Sequence, residues 1–260
     1  MVIDVSQASD ARVNNLLLGG TDHYESDREA VRRLAELAPN IRQLARLSRQ
    51  FLLRAVRYLA AERGIGQFLD HGAGLPTREN VHQVARRVHK SARVVYIDND
   101  PVVLAHARMM LDEDQTLILD ADMLDTDSVL SRCERAGFLN CRAPVGVLFA
   151  SALHCVADEQ APWRHLENLM DRLPSGSCLV LSHLVSEDAA RREEASRLMR
   201  QLTGRPWTVR SAAEVDQFFD GLRPVGGPIG DVAHWKPGLG LKLKLADLSW
   251  IAYGGVARKP

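Results

Sequence analysis

The sequence predicts an α/β protein whose mostly parallel sheet is flanked by helices and preceded by a helical extension. Three observations carry this. From Gln67 onward, short apolar runs rich in β-branched residues alternate with amphipathic helical patterns, as in parallel strands joined by right-handed crossovers. The first run leads into Asp70-His71-Gly72-Ala73-Gly74, and the second ends at Asp98, 24 residues past Gly74. Between Ala11 and about Gly64 the pattern is helical and free of strands.

In chain order, residues 25–37 carry Ala30, Val31, Leu34 and Leu37 on one stripe, and Pro39-Asn40 breaks the helix. Asn40 is placed to cap a longer helix to Ala61, with Ile41, Leu44, Phe51, Leu52, Val56 and Leu59 as its apolar face. Gly64 closes it. Strands are expected at 67–70, 93–98, 116–120, 145–151, 177–183 and 250–257, and helices at 77–88, 101–111, 126–136, 161–173 and 187–203. A further helix fits 212–222, followed by a Gly/Pro-rich stretch over 223–240. Residues 241–245 and 248–257 fit late strand segments, antiparallel at the sheet edge. The expected organisation is an N-terminal helical cap or lid over 1–64 and a nucleoside-binding unit over 65–260.

The 260 residues are 46% hydrophobic and 25% charged, ordinary globular values. Lys+Arg and Asp+Glu both total 33, which argues against a general nucleic-acid binder. Cys133, Cys141, Cys155 and Cys178 show no metal-ligand spacing, so no metal site is expected and the thiols read as buried and free. No apolar run approaches membrane-spanning length and residues 1–10 lack a secretory pattern. The expectation is a cytoplasmic protein without a membrane partner. Oligomeric state is not legible.

Glycines after a strand allow a sharp turn and close approach of backbone to ligand. An acidic residue about 20 positions on can accept hydrogen bonds from a ribose diol. Together Gly72, Gly74 and Asp98 point to a nucleoside cofactor. A nicotinamide dinucleotide fits poorly, because the run Gly72-Ala73-Gly74-Leu75-Pro76-Thr77 lacks the third glycine of GxGxxG.

Asp70, Asp98 and the Asp120-Ala121-Asp122 run make three acidic strand ends. This arrangement resembles class I S-adenosylmethionine-dependent methyltransferases, Rossmann-like proteins with a mostly parallel seven-stranded sheet. The match is closer over Leu16-Leu17-Leu18-Gly19-Gly20-Thr21-Asp22, Phe68-Leu69-Asp70-His71-Gly72-Ala73-Gly74-Leu75-Pro76-Thr77, the run from Arg93 to Leu104, and the closing Tyr253-Gly254-Gly255-Val256-Ala257-Arg258-Lys259-Pro260. These resemble an actinobacterial S-adenosyl methyltransferase family whose acceptor is uncharacterised, over essentially the whole chain. His71 departs from that family's pattern, where a small apolar residue is expected, and so does Asn14-Asn15, where an aromatic is usual.

The resemblance implies S-adenosyl-L-methionine as cofactor and S-adenosyl-L-homocysteine as product. It implies that Asp70, His71, Gly72, Ala73 and Gly74 lie against the methionine part, Asp98 and Asn99 at the ribose, and Ala121, Asp122 and Met123 at the adenine. Asp120 and Asp125 compete with Asp122 for that role. Ser151 follows the fourth strand, facing the methyl group, and Gly19 and Gly20 belong to a lid that closes over the donor. No catalytic residue is identified; His154, His183 and Tyr24 are the candidates, and a base is not required for transfer from a sulfonium. Arg42, Arg46, Arg49, Arg54, Arg57 and Arg63 read as a solvated basic helix face. The function expected is methyl transfer to a small-molecule acceptor. Ser151-Ala152-Leu153-His154 stands where base methylases carry an Asn-Pro-Pro-Tyr-like loop, which argues against nucleic acid. The alternative is a non-catalytic protein that binds the cofactor or a metabolite.

Overall fold

The computed structural model describes residues 4–111, 114–236 and 249–260. Three helices come first: α1 Asp10–Leu18, α2 Glu25–Leu37 and α3 Ile41–Glu62. Helix α1 ends where Gly19 turns left-handed at φ 89° and its N–H reaches the carbonyls of Asn15 and Leu16, the exit that glycine permits. At the start of α2, Asp27 accepts the Tyr24 N–H at 2.7 Å. Helix α3 buries Ile41, Leu44, Leu47, Phe51, Leu52, Ala55, Val56 and Leu59.

The α/β unit then runs β1 Gln67–His71, α4 Val81–Val88, β2 Arg93–Asp98, α5 Pro101–Met110, β3 Thr116–Asp120, α6 Thr126–Arg135, β4 Gly146–Ala150, α7 Pro162–Asp171, β5 Cys178–Val185, α8 Ala189–Thr203, α9 Ala212–Asp216, β6 Arg223–Pro224, β7 Gly230–Asp231 and β8 Ile251–Arg258. The strand order is β3-β2-β1-β4-β5-β8-β6. The first five are parallel, and β8 is antiparallel to β5 over eight residue pairs, Cys178 opposite Arg258 to Val185 opposite Ile251. The sheet thus has the expected seven positions across. Strand β7 is an addition, two residues that share the edge of β8 with β6. Both come from the Gly/Pro-rich stretch. The strand expected at 241–245 lies outside the described residues.

Alternate residues of each buried strand feed two cores. Val180 packs with α3 and the N-terminal helices, whereas Leu179 and Leu181 join Leu130, Leu166 and Leu169 of α6 and α7 on the other face.

Where boundaries differ from the sequence reading, side-chain capping explains most of them. Helix α4 starts at Val81 rather than Thr77, because Asn80 Oδ1 accepts the Thr77 N–H and Gln83 Oε1 accepts the Asn80 N–H, a capping box. Helix α8 starts after Asp188, whose carboxylate accepts from Ala190 and Arg191. Strand β4 stops at Ala150 because Ser151 turns to φ 56°. Helix α9 covers only the start of 212–222, and the chain tightens into a 3-10 turn at 217–219.

Candidate functional site

Strand order reverses at β1 and β4, and the crevice beyond the carboxyl ends there is where open α/β sheets bind ligands. The chain leaves β1 through Gly72 and Gly74, at φ 63° and 66°. The Gly72 and Ala73 N–H groups both bond Ile97 O, at 2.9 and 3.2 Å. A Cβ on Gly72 would stand 2.8 Å from the Ala152 methyl, so only glycine fits this close approach. Asp98 Oδ2 accepts the Gly74 N–H at 2.9 Å and Oδ1 accepts the Asp100 N–H at 2.9 Å. Burial pushes its carboxyl up, against the backbone bonds that favour the charged form.

A cleft opens above this loop. Of the residues expected at the cofactor, Asp70, Gly72, Ala73, Gly74, Asp98, Asn99, Met123 and Ser151 line it. The rest are placed elsewhere. His71 is fully buried, its ring stacked on Phe149 at 4.5 Å between centroids and its Nδ1 3.1 Å from Met123 O. Burial lowers it to about 4, so the ring is neutral and holds Met123 from beneath the cleft. Asp122 is exposed and Oδ1 accepts the Leu124 N–H at 2.9 Å. Ala121 donates its N–H to Asp98 O at 3.2 Å. Of the competing carboxylates, Asp125 caps α6 through the Ser128 N–H and Asp120 is exposed. Gly19 and Gly20 sit at the far end of α1, where a Cβ on Gly20 would strike the Asn15 side chain at 2.3 Å. Tyr24 is exposed, stacked on the Arg12 guanidinium at 5.2 Å.

Helix α1 lies over the cleft and contributes Asp10, Ala11, Asn14 and Leu18 to its lining. It is held at two points. Ser9 Oγ donates to Asp100 Oδ2 at 2.8 Å, tying the helix start to the end of β2. Arg12 and Asp27 form an ion pair at 2.8 Å, 3% and 0% exposed, and Asp27 also accepts the Ser9 and Tyr24 N–H groups. Asn14 therefore faces the cleft, whereas Asn15 accepts the Asp22 N–H and supports the 19–22 turn.

Helix α3 contributes Ala45, Ser48, Arg49 and Leu52. Arg49 is not on a solvated face: Nη2 donates to Thr77 Oγ1 and Glu79 O at 2.7 Å each, and Nε is shielded from solvent without a partner. Arg54 likewise turns inward, to Val232 O and Trp235 O. Across the cleft, burial pushes Asp70 up to about 7 despite the Arg49 charge nearby. Sequence reasoning missed Arg49 and Ser48. The available signal was a charged and a hydroxyl residue at helical spacing within the stripe from Ala45 to Leu52.

Below α1 a second cavity adjoins the cleft; Asp10, Asn14, Ala45, Ser48, Ser151 and Cys155 line both. Ser48 Oγ lies 2.8 Å from Ser151 Oγ and 2.6 Å from Ser182 Oγ at the boundary. His154 and His183 reach the floor, 3.8 Å between ring centroids. His183 Nδ1 lies 2.8 Å from Leu184 O, and Nε2 takes the Arg210 guanidinium at 2.9 Å. His154 Nε2 accepts the Leu184 N–H at 3.3 Å. Burial, with the Arg210 charge beside it, lowers His154 to about 3, and burial likewise carries His183 well below its ordinary value. Both rings are neutral, weakly basic and engaged in structure.

The parallel core, the reversed strand order and a glycine turn clasped by Asp98 define a Rossmann-like nucleoside-binding protein of the methyltransferase class. The chain belongs to the S-adenosyl methyltransferase family, whose model matches residues 1–260, and S-adenosylmethionine is its cofactor. A DUF574 family protein from Streptomyces avermitilis is 36% identical, with 99% of each chain covered and a TM-score of 0.91. A candidate methyltransferase from Thermobifida fusca is 32% identical, covering 98% of this chain and 96% of that one, with a TM-score of 0.89. The N-methyltransferase NodS from Bradyrhizobium japonicum, 14% identical, covers 82% of this chain and 97% of its own at a TM-score of 0.50, and shares the fold. No curated protein matches the sequence. Among the described residues no helix is long and apolar enough to cross a membrane.

Proposed function

We propose that the protein transfers the methyl group of S-adenosylmethionine to a small-molecule acceptor. The observation that carries the reading is the pairing of the clasped glycine turn with an unpartnered Arg49 Nε opposite Asp70. The amino-acid end of the cofactor carries one carboxylate and one ammonium. Arg49 Nε supplies a buried cationic donor for the first and Asp70 an anion for the second. Asp98 would take the ribose hydroxyls, with Asn99 beside it. Met123, seated by His71, lines the cleft and would border the adenine end, with Ala121 and Asp122 just ahead of it in the chain. The cradle fits: Gly72 leaves room that any side chain would fill.

The cofactor supplies a methyl group already activated by the sulfonium charge. What remains for the protein is to orient the acceptor and exclude water, and positioning of this kind can supply about 7–11 kcal/mol. Residues 1–64 act as the cap over the donor, with α1 as its contact element and the Gly19-Gly20 turn as its far end, and residues 65–260 hold the cofactor. Ser151, held in a positive-φ turn, faces the junction of cleft and cavity, the strained backbone that functional sites tolerate. A small acceptor is favoured because the adjoining cavity lies beneath a helix latched through Ser9 and Arg12. Four free thiols suit a reducing cytoplasm.

The test is incubation with S-adenosylmethionine labelled in its methyl group, a mixture of small amines, phenols and carboxylic acids, total RNA and a peptide pool. The reading expects label in the low-mass fraction. Label in RNA or peptide, or no transfer, contradicts it.

A further inference from the structure

The second cavity is walled by Val13, Leu17, Leu34, Ile41, Leu44 and Trp207. Its histidines are neutral, and among the described residues Asp10 is the one carboxylate of the lining, which holds no lysine or arginine. Both Asp10 oxygens are shielded from solvent, and no nitrogen or oxygen donor reaches them; the weakly donating Cys155 thiol is the side chain that bonds there. A buried carboxylate left with only a thiol donor is costly, and native proteins rarely keep one without use. Asp10 also lines the cofactor cleft, so it stands at the junction where a methyl donor and an acceptor would meet.

We propose that this cavity is the acceptor site and that Asp10 selects the acceptor, by accepting a hydrogen bond from the N–H or O–H of the atom to be methylated. The acceptor class is a compact apolar or aromatic molecule carrying an amine or a phenol. Anionic acceptors are disfavoured, because a second carboxylate would face Asp10, and the nearby Arg205, in the lining of the adjoining cleft, already offsets part of the Asp10 charge. Burial raises Asp10 to about 6, so it is charged at neutral pH yet basic enough to bond a neutral donor strongly. This inference rests on the methyl-transfer reading for the word acceptor, but the cavity's ligand chemistry is tested without turnover.

The probes are phenol, aniline, toluene and benzoate, titrated at pH 7.5 into the full chain and into Asp10→Asn and Asp10→Ala by calorimetry or ligand-observed NMR. Phenol and aniline should bind the wild type, at least tenfold more weakly to Asp10→Ala, and with intermediate strength to Asp10→Asn. Toluene should bind all three alike, which also shows that the variants keep the apolar cavity. Benzoate should bind the wild type weakly and the variants at least tenfold more tightly. The proposal is overturned if phenol and aniline ignore both substitutions, if benzoate binds the wild type as tightly as phenol, or if none of the four binds. S-adenosylhomocysteine is titrated in parallel. If it fails to bind while phenol depends on Asp10, the cofactor reading falls and the cavity assignment stands. If it binds while phenol ignores Asp10, the reverse holds.

Discussion

Replacing Asp10 by Asn should stabilise the protein, and the gain should depend on pH. The carboxyl is raised from an ordinary 3.8 to about 6 by burial, with only partial relief from Arg205 and the Cys155 thiol. Each pKa unit is worth 1.36 kcal/mol, so holding Asp10 charged costs the native state about 3 kcal/mol above pH 6. For an acid whose folded pKa exceeds its unfolded one, the sign is unfavourable: the penalty is full above the folded value and fades as pH falls through the interval from 6 to 3.8. At pH 4 about 0.5 kcal/mol remains. The asparagine amide, equally unpaired, returns about 1 kcal/mol of cost. The net gain at pH 8 is therefore about 2 kcal/mol, or a Tm increase of roughly 4–8 °C for a chain of this size. Thermal unfolding of wild type and Asp10→Asn at pH 4, 6 and 8, followed by circular dichroism, measures it. A difference that does not change with pH, or a variant less stable than wild type at pH 8, refutes the reasoning. Such a cost, retained in the native protein, is the usual mark of a group kept for function rather than stability.

Three further outcomes follow from the same geometry. Asp70, pushed up to about 7, must be ionised to pair with the cofactor's ammonium, so S-adenosylhomocysteine affinity should fall about tenfold per pH unit below 7, with proton release visible in calorimetry across buffers. Arg49→Met should weaken S-adenosylhomocysteine at least tenfold while leaving 5′-methylthioadenosine, which lacks the amino-acid end, within twofold; equal weakening of both would remove Arg49 from the carboxylate. Asp27→Asn should break the buried pair with Arg12 and cost about 3–5 kcal/mol, with proteolysis starting in the first 40 residues; unchanged thermal stability would show that α1 is held by other contacts.

What was legible in the sequence was what local chemistry dictates. Gly72, Gly74 and Asp98 lie on one strand-turn-helix-strand passage, so spacing alone brings them together, and the structure links Asp98 to Gly74 by a hydrogen bond. The parallel order followed from apolar strands spaced by helices. His71 shows a subtler limit: it follows Asp70 on β1, and successive strand side chains face opposite ways, so it lies under the sheet end rather than in the cleft. Asp10 and Arg49 were not legible as site residues. Asp10 stood just ahead of the helical pattern that begins at Ala11, and Arg49 read as part of a basic surface. Their roles come from the docking of α1 and α3 onto the sheet, a tertiary event that local pattern marks only for Arg49, through its helical spacing with Ala45 and Leu52. The histidines misled for the same reason, since Arg210, 27 residues beyond His183, is what occupies its Nε2.

On this reading the cleft above the Gly72-Ala73-Gly74 turn binds S-adenosylmethionine through Asp98. Calorimetric titration of S-adenosylhomocysteine into wild type and Asp98→Ala tests it most directly. The wild type should bind at micromolar strength, about −8 kcal/mol. Asp98→Ala should lose at least a hundredfold, since charge-assisted bonds to two ribose hydroxyls at about 1.5–3 kcal/mol each disappear with the clasp on Gly74. Absence of wild-type binding, or an Asp98→Ala affinity equal to wild type, would contradict it.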